Sequence, residues 1–243
     1  MDLLLNCDLG EAAGGDQLAT EAQVMPHIDQ ANIACGFHAG NSQTMDQTLA
    51  LAKQHQVAVG AHPSYPDKFN FGRQSMTMTS ADLIACLNYQ IASLEKNAKR
   101  HAIDLDYVKP HGALYNDMMV NGHLRSAVMA SVADSSCASL MLQATVDQQI
   151  HRQEAEMFGI QLIFEVFADR AYQDCGALVP RNQPGAILDK EKMFAQVSQL
   201  SHQGSLTTLS GNRLKLDADS LCVHGDNPQA VSEISQIRAI IKA

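Results

Sequence analysis

NIACGFHAG, residues 32–40, is the stretch that decides the fold of this chain. It begins with a short apolar run, 32–35, whose length is typical of a buried strand and too short for a helix. A glycine follows at once, and His38 comes two residues later. The stretch therefore predicts a buried strand with a chemically useful side chain just past its carboxyl end.

The same pattern recurs along the 243 residues of the chain. The short apolar runs are 3–5, 32–35, 57–61, 107–108, 140–142, 160–167 and 221–223. Each has the length and composition of a buried strand. One stretch, 207–216, breaks the rhythm and predicts a β-hairpin that turns at Ser210-Gly211-Asn212.

Helical periodicity fills the intervals between the runs. Thr79 is a predicted N-cap, and apolar residues at 83, 87, 91 and 94 then share one helix face. Asn227 as a cap with Pro228 in the first helical position predicts a second clear helix. Weaker helical patterns cover 43–55, 118–133, 146–158 and 189–202. Strands alternating with helices predict βα units and a parallel sheet, and since no linker-like segment interrupts them, we interpret residues 1–243 as one domain.

A parallel sheet of about seven βα units can close into a barrel or remain an open, doubly wound sheet. The polar residues favour the barrel. Four histidines, His38, His62, His111 and His224, lie just past four different predicted strands. Strand ends converge on one mouth in a barrel, whereas they spread along an edge in an open sheet. We therefore predict an α/β fold with a distorted, seven-stranded barrel, although any one of these histidines could simply bond a backbone carbonyl in a turn.

Composition excludes several classes of protein. With 17 basic and 26 acidic residues, the net charge is −9, which argues against nucleic acid and anionic membrane surfaces as partners. No apolar run approaches the ~20 residues of a membrane helix, and the first eight residues lack the basic and long apolar regions of a signal peptide. We expect a soluble, cytoplasmic protein whose six cysteines, none of them in a CxxC pair, are reduced and mostly buried.

Histidines and carboxylates around a concave mouth suit a divalent metal with an open coordination position, which promotes hydrolysis of amides or esters. Without a metal, the same side chains could act as general acids and bases. Asp8 could instead be an ordinary turn or helix cap, and Asp226 could simply flank the Asn227 cap.

Glu165 falls inside an apolar run, so its carboxylate must be paired, metal-bound or neutral. Arg170 or Lys109 could be its structural partner. Alternatively, basic residues near the strand ends could recognise a carboxylate or phosphate; they are Arg73, Lys109, Arg170 and Arg181. The sequence contains no P-loop motif, no GxSxG nucleophile elbow and no GxGxxG after a strand.

The long motifs of the chain resemble those of the LamB/YcsF family, in order and over essentially the whole length. They are NCDLGE (6–11), ANIACGFHAG (31–40), GAHP (60–63), FGR (71–73), VKPHGALYN (108–116), EVFADR (165–170) and VHGD (223–226). The resemblance implies a barrel similar to carbohydrate deacetylases. It also implies the role of the A subunit in an ATP-dependent 5-oxoprolinase, which opens 5-oxo-L-proline (pyroglutamate) to L-glutamate together with subunits B and C.

A five-membered lactam is a stable amide, so ring opening needs coupling to ATP or strong electrophilic activation. Because this chain has no recognisable nucleotide site, we expect ATP to be used by the complex. Our hypothesis is that the partner subunits help to activate the lactam by phosphorylation, and that the mouth of this barrel hydrolyses or channels the activated species.

The deacetylase analogy also implies roles for individual side chains. The metal-site candidates are Asp8, His38 and His62. The base is left open between Glu11, Glu165 and Asp169, while His111 and His224 face the substrate. The predicted catalytic residues are therefore Asp8, Glu11, His111, Glu165, Asp169 and His224, and the predicted substrate-binding residues are Arg73, Lys109, Arg170 and Asp226.

Two other functions remain open. The chain could be a stand-alone, metal-dependent deacetylase or amidohydrolase that acts on a sugar or a cyclic amide. It could also be a non-catalytic scaffold protein, although scaffolding needs surface patches and not a polar mouth.

Overall fold

Seven parallel strands close into a barrel in the computed structural model of this chain, which describes residues 3–11, 15–225 and 227–243, without the side chains of 15–17. The strands are β1 (Leu4–Leu9), β2 (Gln30–Ala34), β3 (Ala58–His62), β4 (Tyr107–Val108), β5 (Ser139–Gln143), β6 (Gln161–Phe167), the hairpin pair β7 (Ser205–Thr207) and β8 (Arg213–Lys215), and β9 (Ser220–Val223). Strand β9 pairs with both β6 and β1 and closes the barrel. The predicted seven-stranded barrel is confirmed.

The first strand is longer than the apolar run 3–5 predicted. It continues to Leu9 because side chains alternate between its two faces. Leu5 and Cys7 pack in the apolar core, whereas Asn6 and Asp8 face the barrel interior and bond to side chains of other strands. Because the inward-facing side chains of this half of the strand are polar, it does not form a continuous apolar run and was not predicted.

Helices surround the barrel. They are α1 (Gly15–Val24), α2 (Ser42–His55), α3 (Ser80–Arg100), α4 (Gly112–Val120), α5 (Gly122–Ala133), α6 (Gln148–Phe158), α7 (Lys190–Gln203), α8 (Pro228–Ser232) and α9 (Ile234–Lys242), with a short 3₁₀ turn at Met25–His27. The prediction of one helix over 118–133 was wrong. Asn121 ends α4 and caps α5 through bonds from the amides of His123 and Leu124, so the chain turns there. In the described part of the chain, no helix combines the length and the apolar character needed to cross a bilayer.

The two clearest helix starts are confirmed. Thr79 accepts a bond from the amide of Asp82 and caps α3, whose apolar face at 83, 87, 91 and 94 is buried. Each such buried Leu or Ile stabilises the fold by about 1.5–3 kcal/mol. Asn227 caps α8, with Pro228 in its first turn. The predicted hairpin is also present, and Gly211 turns it with a φ of 88°.

Candidate functional site

A cavity of about 600 Å³ opens at the carboxyl ends of the barrel strands. Most of the residues singled out in the sequence line it, namely Asp8, Glu11, His62, Arg73, Lys109, His111, Arg170 and His224. His38, Glu165 and Asp169 lie behind this lining, each in contact with one of its residues. Asp226 lies outside the described residues.

Three imidazoles and one carboxylate gather on the side of the cavity built by β1 to β4. We call Glu11, His38, His62 and His111 the imidazole cluster, since one ligand atom from each lies within 4.8 Å of the others. Oε1 of Glu11 is 3.4 Å from Nε2 of His38 and 3.4 Å from Nδ1 of His111. All four side chains are buried.

Backbone carbonyls fix the protons of two of these rings. His62 Nδ1 lies 2.7 Å from the carbonyl oxygen of Lys109, and His111 Nε2 lies 3.0 Å from that of Phe71. A carbonyl only accepts, so both of these nitrogens carry hydrogen. The other two nitrogens, His62 Nε2 and His111 Nδ1, are 2.9 Å apart. In neutral rings each of them presents a lone pair to the other.

Burial keeps these rings neutral. It penalises the imidazolium form and lowers the pKa of His38 to about 3 and that of His111 to about 4. Burial likewise holds the pKa of His62 well below its usual value. Among the described residues, neither ring nitrogen of His38 has a hydrogen-bond partner. Buried lone pairs that converge beside a carboxylate are the donors a divalent transition metal takes, so the cluster could bind a metal.

The loop after β3 covers the imidazole cluster. Phe71 in this loop supplies the carbonyl that holds His111, and the next residue, Gly72, has a φ of 64°. A Cβ on Gly72 would come within 2.9 Å of the Cβ of His38. Glycine at this position therefore lets the loop lie directly against the histidines.

A polar layer lies under the cavity floor. Lys109 Nζ is 3.0 Å from Oδ1 of Asp8 and 3.0 Å from Oε2 of Glu165, so Lys109 is the partner of the buried Glu165. Asn32 donates to Asp8 at 2.7 Å, and Tyr107 donates to Asn32 at 2.6 Å. This layer joins strands β1, β2, β4 and β6 across the barrel.

Charge pairing controls ionisation in this layer. Burial would raise the pKa of Asp8, but the Lys109 ammonium holds it well below its usual value. Burial would lower the pKa of Lys109, yet Asp8 and the other acidic groups around it hold it well above. Asp8 is therefore an ionised carboxylate at the cavity surface, with one oxygen 3.7 Å from Nε2 of His62.

The opposite side of the cavity, built by β6 and β9, is arranged differently. Nδ1 of His224 is 2.9 Å from Oδ1 of Asp169, and the amide of Asn227 donates to the other oxygen at 2.8 Å. We call Asp169, His224 and Asn227 the Asp–His chain. Burial would raise the pKa of Asp169, but the His224 ring and these bonds lower it to about 2. The ring of His224 also stacks on Phe167, with centroids 5.0 Å apart.

Arg170 shapes the wall beside this chain. Its guanidinium donates to the carbonyls of Val179 at 2.6 Å and Ala186 at 3.4 Å, which hold the loop after β6 against the barrel. Arg181, in the same loop, lines the cavity and contributes to the low pKa of Asp169. Arg73 lines the cavity from the other side, with its guanidinium carbon 5.0 Å from the Phe71 ring centre.

Sequence reasoning did not find every member of the site. It proposed Asp8 with His38 and His62 for a metal, whereas the structure gathers these two histidines with Glu11 and His111 and places Asp8 beside them on Lys109. The order of strands β1 to β4 around the barrel was the available signal, because neighbouring strand ends are adjacent. Inward-facing polar residues under the floor were missed altogether; they are Asn6, Asn32, Tyr107 and Ser220.

Comparison with known proteins agrees with this architecture. The profile of the LamB/YcsF family matches residues 3–243. The A subunit of 5-oxoprolinase from Vibrio campbellii is 44% identical over 237 residues, which cover 97% of this chain and 94% of that protein. Its counterpart from Pseudomonas fluorescens is 46% identical over 238 residues, covering 97% and 95%.

A solved structure extends the likeness to three dimensions. The crystal structure of the lactam utilization protein from Thermus thermophilus is 31% identical and superimposes with a TM-score of 0.86, covering 98% of this chain and 96% of that one. Profile, sequence relatives and fold agree over nearly the full length. The chain belongs to the LamB/YcsF family.

Proposed function

We propose that this chain is the A subunit of an ATP-dependent 5-oxoprolinase, which opens 5-oxo-L-proline to L-glutamate in a complex with subunits B and C. The names of its relatives, the 5-oxoprolinase A subunits and a lactam utilization protein, support an amide-opening role. The observation that carries the proposal is that one cavity combines an imidazole cluster, an ionised Asp8 and the Asp–His chain. Amide hydrolysis needs a group that polarises the carbonyl, a base and a proton donor. We assign these roles to the imidazole cluster, to Asp8 and to the Asp–His chain, in that order.

The imidazole cluster is the proposed site of a divalent metal. Glu11, His38, His62 and His111 would hold it, because their unprotonated nitrogens and a carboxylate oxygen converge there. When bound, such an ion supplies polarisation of a carbonyl or a bound water of lowered pKa. The protein contributes the neutral, fixed rings and the surrounding burial.

Asp8 is the proposed base. It lines the cavity and is held ionised by Lys109, whereas Glu165, one of the three bases left open in the sequence, is fully buried beneath Lys109. Asp8 accepts a proton from water as the water oxygen bonds to the lactam carbon. Lys109 stays protonated throughout and keeps the carboxylate in place.

His224, which follows β9 beside β1, is the proposed proton donor. As the carbon–nitrogen bond of the ring breaks, the nitrogen needs a proton, which the cavity-facing nitrogen of a protonated His224 supplies. Asp169 accepts the bond from Nδ1 and stabilises the imidazolium form. The base and the donor follow the neighbouring strands β1 and β9 and line one cavity, so both can act on one bound lactam.

Activation of the lactam by phosphorylation in the partner subunits is consistent with these roles of Asp8 and His224. Water attack on a lactam phosphorylated at oxygen, followed by carbon–nitrogen cleavage, leaves an acyl phosphate. A second water then releases phosphate and glutamate, so that one ATP and two waters are consumed for each ring opened. Arg73 and Arg181, on opposite walls, are suited to hold the carboxylate and phosphate of such a species. Arg170 in the cavity wall and Lys109 at the cavity floor would also attract the carboxylate and the phosphate.

Reconstitution tests the proposal. The chain is co-expressed with subunits B and C, and glutamate and ADP formation from 5-oxo-L-proline are measured. We expect Asp8→Asn to lower turnover about 10²–10⁴-fold, the usual contribution of a general base. The exposed Asp217→Asn serves as the matched control and is expected to retain full turnover.

Two results would contradict the proposal. Turnover of an N-acetyl sugar by the purified chain with zinc, without ATP or partners, would identify a stand-alone deacetylase. Unchanged turnover in a complex that carries Asp8→Asn would identify a scaffold protein.

A further inference from the structure

Asn227 makes two different hydrogen bonds with the two ends of its amide group. Its Oδ1 accepts from the backbone amide of Ala230 at 3.3 Å and caps α8. Its Nδ2 donates to Oδ2 of Asp169 at 2.8 Å. Capping requires only the oxygen, so the second bond, from Nδ2 to Asp169, does not contribute to the helix cap.

The bond from Asn227 completes a chain that ends at the cavity. Asp169 is 2% exposed, and its other oxygen holds Nδ1 of His224 at 2.9 Å. With a hydrogen on Nδ1, the neutral ring leaves Nε2 as the nitrogen that takes up a proton and then delivers it in the proposed step. Among these three residues, His224 is the one that lines the cavity.

The backbone around Asp169 is held as well. The side-chain amide of Gln196, on α7, donates to the carbonyls of Phe167 at 2.8 Å and of Arg170 at 2.9 Å, on either side of Asp169. The remaining freedom of Asp169 is rotation of its carboxylate, and the bond from Asn227 opposes that rotation. Asn227 is thus placed to determine where the carboxylate points.

We propose that Asn227 is a positioning residue, which orients Asp169 and thereby fixes the tautomer and direction of His224 for proton transfer to the lactam nitrogen. This inference rests on the proposed function for its substrate, but the positioning itself is a property of the chain alone. It also links the start of the C-terminal helices to the chemistry of the cavity.

A substitution that keeps the cap separates the two bonds. Serine caps helices about as well as asparagine does, yet its hydroxyl is too short to cap α8 and reach Asp169 together. We expect Asn227→Ser to retain the melting temperature while kcat of the reconstituted complex falls about 10- to 100-fold, as for other outer partners of site residues. KM for 5-oxo-L-proline should stay unchanged, since Asn227 is not a cavity-lining residue. Asn121→Ser is the matched control, because Asn121 caps α5 in the same way without contacting Asp169.

The closing experiment is a long-range ¹⁵N–¹H correlation spectrum of the purified chain labelled at histidine. His224 is assigned by the loss of its signals in His224→Gln. We expect a single tautomer with hydrogen on Nδ1 in the wild type and in Asn121→Ser, and a mixture of tautomers in Asn227→Ser. An unchanged His224 spectrum in Asn227→Ser would overturn the inference, as would a fall in melting temperature that accounts for the loss of kcat. Because the spectrum needs neither partners nor substrate, an inactive complex would count against the proposed function and not against the positioning role.

Discussion

Both sides of the barrel mouth contain histidines and carboxylates, but their hydrogen bonds are arranged in opposite ways. On the β1–β4 side, unprotonated nitrogens and a carboxylate converge with no proton between them. On the β6–β9 side, one imidazole and one carboxylate form a closed hydrogen-bonded chain with an amide behind them. Histidine and acid together therefore do not define a function. In the proposed function, the partner of each ring's second nitrogen decides whether the pair binds a cation or moves a proton.

The largest expected effect comes from breaking the imidazole cluster. His38→Ala removes a proposed metal ligand, whose ring nitrogens have no hydrogen-bond partner among the described residues. After loading with zinc and dialysis, we expect about one ion per wild-type chain and almost none in the variant. Turnover of the reconstituted complex should fall by more than about 100-fold, beyond the effect of losing an outer-sphere partner. The exposed His202→Ala is the control, and equal metal content in all three proteins would contradict the assignment.

An effect of comparable size comes from the Asp–His chain and separates the two sides of the mouth. Asp169→Asn replaces the acceptor of the Nδ1 hydrogen with an amide that can turn its own donor toward His224, which favours the wrong tautomer. We expect kcat to fall about 10²–10⁴-fold, with metal content unchanged. The control is Asp46→Asn, which alters an Asp–His pair of the same 2.9 Å length at the surface, with His101. Loss of metal from Asp169→Asn would show that the two sides are not independent.

A third prediction concerns the polar layer under the cavity floor, which connects the two sides of the barrel mouth. Lys109→Met leaves Asp8 and Glu165 buried without their cation. Breaking a buried pair in this way costs about 3–5 kcal/mol, which is measurable as a loss of unfolding free energy in urea. Lys99→Met, at an exposed pair with Asp104, should leave the unfolding free energy nearly unchanged, because water screens a surface pair. Similar losses in both variants would mean that the buried layer contributes no more than a surface contact.

The smallest effect tests the seam between β9 and β1. A Cβ on Gly225 would lie 2.1 Å from the backbone oxygen of Asp8, so Gly225→Ala must push His224 and Asp8 apart. We expect a loss of about 1–3 kcal/mol from overpacking, together with reduced turnover. Gly122→Ala is the control, because its new methyl group would make only an ordinary contact, at 3.7 Å, with the guanidinium of Arg125. Unchanged stability and turnover in Gly225→Ala would show that the seam adjusts freely.

Much of the fold could be predicted because its signals are local. Apolar runs bounded by glycine or proline mark the strands, and Thr79 and Asn227 are caps that act within three residues of themselves. Polar residues past successive strands then favour a closed barrel over an open sheet. The inward half of β1 escaped prediction since Asn6 and Asp8 are buried by partners that lie far along the chain.

The site was harder to predict than the fold. Its residues could be named, but their grouping depends on which strand ends are adjacent and on which carbonyl each ring meets. His111 bonds Phe71, 40 positions away, and Lys109 bonds Asp8, 101 positions away. No periodicity in the sequence encodes such a pairing. Asn227, in contrast, was recognisable as a cap, while its second bond to Asp169 was not.

The proposed chemistry depends most on a cation shared by the imidazole cluster. Anomalous diffraction at the zinc edge, from crystals of the full chain grown with zinc, tests it directly. We expect one strong anomalous peak in contact with the ring nitrogens of His38, His62 and His111 and with the carboxylate of Glu11. No peak at this position, or one held by Asp8 in place of Glu11 and His111, would contradict the assignment.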